Sequence, residues 1–368
     1  MTAAGQTPLE HLIRQRIRRQ GGITVADYMS LCLTHPEHGY YTTRQPLGEE
    51  GDFITAPEAS QMFGELIGVW AMACWQSLGR PPRLHLVELG PGRGLLMHDL
   101  LRAARALPDF TQALHAHLVE VSPHLRAEQR QRLASYDVPL RWHDDLPPPE
   151  ALADGPVLVI ANEFFDALPV HHYERISEGW RERLVVEDAA GNLAFAATGT
   201  PLPSETLPQW ARNLPVGSII EIAPERQQYA RRIATLLRHT GGAALVIDYG
   251  HATPGPGETL QALHRHRQVS VFHRPGESDL TAHVDFTALA EAMAGLHVPP
   301  PLEQGAFLLG LGLRERLHAL LANATEEQAA RLVRGAERIA GAQHMGRLFK
   351  ALCAHTPDMP TPPPFATP

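Results

Sequence analysis

The sequence predicts an α/β fold, a mostly parallel sheet with helices on both faces, and three observations carry that prediction. Apolar segments at 157–161 and 243–248, the latter ending in Asp248, and a third at 84–89 that carries an acid near its end, read as strands buried on both sides. Helical segments with apolar residues every three to four positions alternate with them, the rhythm of βαβ units. A glycine-rich turn, Glu88-Leu89-Gly90-Pro91-Gly92-Arg93-Gly94, follows the first strand and opens a helix.

The elements follow in order. Residues 8–34 predict two helical segments joined at Gly21-Gly22, with Thr24 or Asp27 able to cap the second. A loop rich in Pro, Gly and Tyr runs to Pro57, and a helix over 60–78 places Met62, Leu66, Val69, Trp70 and Ala73 on one buried face. Beyond the strand at 84–89 come a helix at 95–107, a strand at 117–121, a polar helix at 123–136 and a short strand at 139–143. Residues 170–195 break the rhythm: they alternate at period two, with turn signals at Ser177-Glu178-Gly179 and Ala190-Gly191-Asn192, as an inserted β-meander does. Past Asp285 the pattern is helical, at 288–294, 315–322 and 326–339. The expected organisation is N-terminal helices and a closing loop over 1–60, a core over 61–290 with an insertion at about 170–220, a helical extension over 291–352, and a proline-rich, disordered tail over 353–368.

Composition excludes several classes. Of the 368 residues 44% are hydrophobic, enough for a large core, but no apolar run reaches membrane-spanning length. The first residues lack the pattern of an export signal, so a cytoplasmic protein without stable membrane insertion is expected. Cys32, Cys74 and Cys353 are isolated, and the 21 histidines form no His-Glu-x-x-His pattern, so no metal is expected. The net charge of −8, with no basic block, argues against nucleic acid as a partner.

The glycine turn narrows the ligand. Its Glu-x-Gly-x-Gly-x-Gly spacing differs from the Gly-x-Gly-x-x-Gly of dinucleotide sites and lacks the Gly-Lys-Ser/Thr end of a phosphate loop. Glu88, Gly90, Gly92 and Gly94 suit a ligand without phosphates that needs a carboxylate and a close backbone, as S-adenosyl-L-methionine does. Glu120 ends the second strand, where a carboxylate can accept both ribose hydroxyls; Asp144, with Asp145, ends the third, where one can accept from an adenine amino group. Each acid alone reads equally well as a surface group or a helix cap. In series behind the strands they favour the methyl donor; a dinucleotide stays open, against the glycine spacing. The fourth strand ends in Asn162-Glu163-Phe164-Phe165-Asp166-Ala167-Leu168-Pro169. Polar groups at the end of a buried strand destabilise it unless they are paired or functional. Either Asn162 or Glu163 caps a helix N-terminus, or the acids bind a cationic methyl acceptor and take its proton.

Taken together, Gly51 through Glu58, Gly64-Glu65-Leu66-Ile67-Gly68, Glu88 through Gly94, Val119 through Pro123, Asn162 through Pro169, Asp248-Tyr249-Gly250 and Asp279 through Phe286 make the chain resemble the MidA-type family of S-adenosylmethionine-dependent methyltransferases. The resemblance runs from about residue 8 to 350. It implies a class I (Rossmann-like) methyltransferase fold with a seven-stranded sheet and added helical elements. It also implies a bacterial protein arginine methyltransferase of type II, acting on a peripheral-arm core subunit of respiratory complex I during assembly. Leu95 stands where many relatives have Thr. On that reading Glu163 and Asp166 are the catalytic carboxylates, Asn162 positions the acceptor, and Asp52 and Thr55 contact the donor from a closing loop. The alternatives are a small-molecule or nucleobase N/O-methyltransferase, and a non-catalytic assembly chaperone that binds the donor.

Overall fold

The computed structural model describes residues 6–43, 55–203 and 207–366, which divide into two units. The larger comprises the described residues within 54–165, 228–252 and 284–368. The smaller comprises those within 1–53, 166–227 and 253–283. The expected core of 61–290 is therefore corrected. Residues 253–283 group with the inserted segment because their strands, Gln261–His264, Arg267–Val269 and Asp279–Thr281, pair with one another and not with the central sheet.

The larger unit is built on an eight-stranded sheet. Its strands are β1 (Leu84–Leu89), β2 (Leu114–Val119), β3 (Leu140–His143), β4 (Val157–Asn162), β5 (Gly242–His251), β6 (Val284–Asp285), β7 (Leu302–Glu303) and β8 (Phe349–His355). The spatial order is β7-β8-β5-β4-β1-β2-β3, with β6 pairing in parallel at the far end of β5. β8 runs antiparallel to both neighbours, and β1 to β5 are mutually parallel. All six residues of β1 and of β4 are buried, as strands covered on both faces must be. The chain enters the sheet at β1, builds outward to β3, then returns beside β1 as β4. That reversal opens a crevice at the carboxyl ends of β1 and β4, where ligands of such sheets bind.

Helix Gln61–Ser77 packs against helix Leu95–Ala104 at short range, and the glycines explain how. A Cβ on Gly64 would come within 2.7 Å of Asp99 Cβ and 2.9 Å of the Leu96 carbonyl oxygen. Met62, Phe63, Leu66, Ile67 and Trp70 fill the core beneath, whereas Val69 is 40% exposed, on the opposite side from the expected face. The helix's buried arc is wider than one stripe and is centred on Phe63, Ile67 and Trp70.

Two further expectations are corrected. The sheet has a last strand, β8, where a helical extension and the start of a disordered tail were expected. Six of its seven residues are buried, because it fills the slot between β5 and β7. The proline-rich segment beyond it also packs: Met359 is 3% and Phe365 7% exposed, and Phe365 lies 5.5 Å from Phe307 between ring centroids. Burying one such side chain contributes about 1.5–3 kcal/mol, enough to hold a segment whose prolines already restrict it.

In the smaller unit the helices Pro8–Gln20 and Val25–Thr34 form as expected, and Thr24 caps the second by accepting from the Asp27 amide at 2.9 Å. The expected single meander splits over two antiparallel sheets. One joins Pro201–Leu202, Gly179–Glu182, His171–Ile176 and Ile219–Ile222; the other joins Ile23–Thr24, Leu184–Glu187 and Leu193–Ala196.

Candidate active site

The first acid of the series ends β1. Glu88 is 3% exposed, and its Oε2 is buried with no hydrogen-bond partner among the described residues. Burial, reinforced by the charge of Glu120, pushes its carboxyl up to about 8. The turn that follows bends through Gly90, Gly92 and Gly94 at φ of 60°, 52° and 75°. That left-handed region suits glycine. A side chain on Gly90 would also bring its Cβ within 3.1 Å of the Phe164 ring.

Glu120, just beyond β2, is 8% exposed. Its Oε1 accepts from the Ser122 amide at 2.8 Å and its Oε2 from Gln129 Nε2 at 3.4 Å, while burial raises its pKa. Gln129 was not singled out from the sequence. It is completely buried in helix Pro123–Leu133, donates to the Gly92 carbonyl at 2.6 Å, and accepts from Trp142 Nε1 at 2.8 Å. One side chain thus braces the glycine turn, the second acid and β3. The readable signal was a polar residue on the buried side of an otherwise charged helix. Asp144 is placed differently: its side chain is 89% exposed and pairs with Arg126 Nη2 at 2.5 Å. Asp145 pairs with Arg232 at 2.8 Å. The buried acids are therefore Glu88 and Glu120, with Asp144 outside.

At the end of β4, Asn162 has a buried Oδ1 with no partner among the described residues, and its Nδ2 donates to Glu163 Oε1 at 3.3 Å. Glu163 sits at φ 49°, a left-handed conformation that is uncommon for a residue with a side chain. Its Oε1 also accepts from the Ala56 amide at 3.1 Å, at the start of the short helix Ala56–Ala59. The capping role is thus real, on a helix distant in sequence. Thr55 is the N-cap residue of that helix, but its side chain makes no capping bond. Glu163's amide donates to the Ile247 carbonyl at 2.9 Å, and Phe165's to Asp248 Oδ2 at 3.0 Å. Asp248, completely buried in β5, also accepts from the Tyr249 amide through Oδ1 at 2.9 Å.

Asp166 belongs to the smaller unit. It is 5% exposed, and its carbonyl accepts from the Ala282 amide at 3.1 Å and from Arg226 Nη2 at 3.0 Å. Tyr41, in the same unit, donates to Asp279 Oδ1 at 3.1 Å. Burial pushes the Tyr41 hydroxyl well up in pKa, aided by the charges of Asp279 and Asp166. Asp52 lies outside the described residues, as do Gly51, Phe53 and Ile54 of the expected closing loop.

Residues 66–302 match a family model described as an S-adenosyl-L-methionine-dependent methyltransferase. The chain belongs to that family. It is 38% identical to the mouse protein named Protein arginine methyltransferase NDUFAF7, mitochondrial, over 93% of this chain and 83% of that one. It is 36% identical to the Drosophila melanogaster homologue, over 95% and 85%, and 35% identical to the human one, over 95% and 84%. Among solved structures, a COG1565 superfamily member from Burkholderia thailandensis bound to S-adenosyl-homocysteine superposes with a TM-score of 0.83 at 28% identity, covering 96% of this chain and 92% of that one. The fold is that of a class I methyltransferase, and the chain is an enzyme that uses S-adenosylmethionine. The glycine turn without side chains and the unpartnered Glu88 oxygen fit that donor. The expected bacterial, cytoplasmic location is overturned: all three curated relatives are mitochondrial by name.

Proposed function

We propose that this methyltransferase modifies arginine side chains of a protein, forming the symmetric dimethyl product on a peripheral-arm core subunit of respiratory complex I. The observation that carries the reading is Glu163, a carboxylate held at a left-handed backbone position beside the unpartnered Asn162 Oδ1. The relatives named as arginine methyltransferases and the resemblance at 162–169 support it.

When bound, S-adenosylmethionine supplies a methyl group made electrophilic by its positive sulfur. In this reading Glu88 faces the donor's ammonium and Glu120 accepts its ribose hydroxyls, while Asp144, exposed and paired with Arg126, stays outside the donor site. Gly90, Gly92 and Gly94 let the backbone approach, and Thr55 adds a polar contact. Arginine's pKa above 12 keeps it protonated, with nitrogens that are poor nucleophiles. Glu163 orients the guanidinium and draws its charge away from the attacked nitrogen. Asn162 Oδ1 accepts one N–H and sets the plane. As the new C–N bond forms and the methyl–sulfur bond breaks, leaving S-adenosylhomocysteine, that nitrogen would give its proton to Glu163.

A second reading, a donor-binding assembly chaperone without turnover, is favoured by one observation: Glu163 Oε1 already accepts the Ala56 amide, as a purely structural cap would. One experiment separates the two. The protein is incubated with isotope-labelled donor and lysate from a strain lacking its gene, and mass spectrometry locates the label. Label on an arginine of a complex I subunit supports the proposal. Label in RNA or in a metabolite refutes it, and donor binding without any label supports the chaperone.

A further inference from the structure

The turn that carries Glu163 is fastened to β5 at two points. The Glu163 amide bonds the Ile247 carbonyl, and two residues on the Phe165 amide bonds the Asp248 carboxylate. A left-handed conformation at a residue with a side chain relaxes unless its surroundings over-determine it. With the backbone pinned at 163 and 165, Glu163 and Phe164 are held between fixed ends. Asp248's own orientation is set by its second oxygen, which accepts the Tyr249 amide at 2.9 Å. A completely buried carboxylate is costly in a strand whose neighbours are apolar, and an apolar side chain would fill the position without that penalty. The bonds it accepts explain why an acid stands there, since charge-assisted acceptance is the strong form of such a bond.

We infer that Asp248 is a positioning residue of the methyl-transfer site: it fixes the Asn162–Phe165 turn so that the Glu163 carboxylate is aimed at the acceptor nitrogen. The inference rests on the reading of Glu163 given above. Asp248 acts through the turn and not on the donor, because Glu88, the glycine turn and Glu120 stand on β1 and β2, with β4 between them and β5. An amide in its place keeps the shape but presents an N–H where Oδ2 now accepts the Phe165 amide. The turn then relaxes and Glu163 moves.

The test uses the full chain carrying Asp248→Asn, with Asp248→Ser as a second variant should the first not fold. It reads single-turnover rate on the protein acceptor and S-adenosylhomocysteine affinity by calorimetry. Misplacing a reacting group by about 1 Å lowers rate by about 100-fold, so a loss of that order is expected, with product-analogue affinity within about threefold of the parent. Combined with Glu163→Gln, either variant should add little further loss, because both act on the same carboxylate. Turnover within threefold of the parent, or turnover and affinity falling by the same factor, overturns the inference. If Glu163→Gln is impaired and Asp248→Asn is not, Asp248 alone has been misread; if Glu163→Gln turns over normally, the catalytic reading of Glu163 falls and this inference with it.

Discussion

The two halves of the reaction crevice are built differently. At the ends of β1 and β2 the groups that suit the donor are close in sequence: Glu88 and Glu120 each end or follow a strand, and the glycines follow Glu88 directly. At the end of β4, Glu163 takes its position from afar. Its carboxylate accepts from Ala56, 107 residues away in sequence, and its turn is tied to Asp248, 83 residues from Phe165. The donor half is a local motif repeated across strands. In the proposed reading the acceptor half is a single turn held by the tertiary structure, and changes elsewhere should then re-aim it without disturbing donor binding.

If that contrast is right, variants in the acceptor half change turnover and variants in the donor half change affinity. The largest effect is expected from Glu163→Gln: single-turnover methylation should fall by about 100-fold or more while S-adenosylhomocysteine affinity stays close to the parent's, since a positioned proton acceptor contributes about 10²–10⁴. A parallel fall in affinity would erase the distinction between the halves.

Glu88 tests the other side by pH. Its carboxyl lies at about 8, well above the ordinary 4.5. Raised pKa means the folded protein holds the proton that the unfolded chain releases, so this contribution to stability is present below 4.5 and is lost as pH rises through about 8. Without donor, the melting temperature should therefore fall between pH 5 and 8, and Glu88→Gln should flatten that fall. Donor affinity runs the opposite way, because the ionised carboxylate is the form that pairs with an ammonium. From pH 6 to 7.5 affinity should rise about tenfold per unit, a slope that Glu88→Gln removes. A pH-independent affinity in the parent protein would detach Glu88 from the donor.

Gln129→Leu should weaken donor binding by about tenfold and lower stability by about 1–3 kcal/mol, since Trp142 Nε1 and the Gly92 carbonyl lose a buried partner. Calorimetry and thermal melting read both; loss of stability alone would make Gln129 a packing residue. The smallest effect is expected at Asp144. Its exposed pair with Arg126 predicts donor affinity within about threefold for Asp144→Asn, and a larger loss in titration would restore it as an adenine contact.

How much was legible follows the same division. Strand-turn-helix patterns are written in adjacent letters, so a glycine turn behind β1 and acids at or just beyond the ends of β1 and β2 could be read directly, along with the parallel direction of β1 to β5. Exposure is not written that way, and Asp144, just after the short strand β3, turned out to face solvent. Gln129 was passed over, and Asp248 was quoted only within a resemblance motif and given no role, because what they do depends on partners 37 and 83 residues away. Val69 failed for a related reason. A helical stripe has several possible centres, and the close crossing at Gly64 and Gly68 selects among them. β8 is seven residues long with no turn signal before it, and only the slot between β5 and β7 makes it a strand.

That slot has a consequence during synthesis. Ribosomes deliver the chain from its N-terminus, so β1 to β5 emerge well before β8. The outer edge of β5, almost wholly apolar, lacks its partner until translation has run from residue 251 to beyond residue 355. Unpaired apolar edges invite pairing with other chains. The nascent protein therefore passes through an interval in which an aggregation-prone edge is open, and an arrest or premature stop anywhere in that interval leaves it open for good.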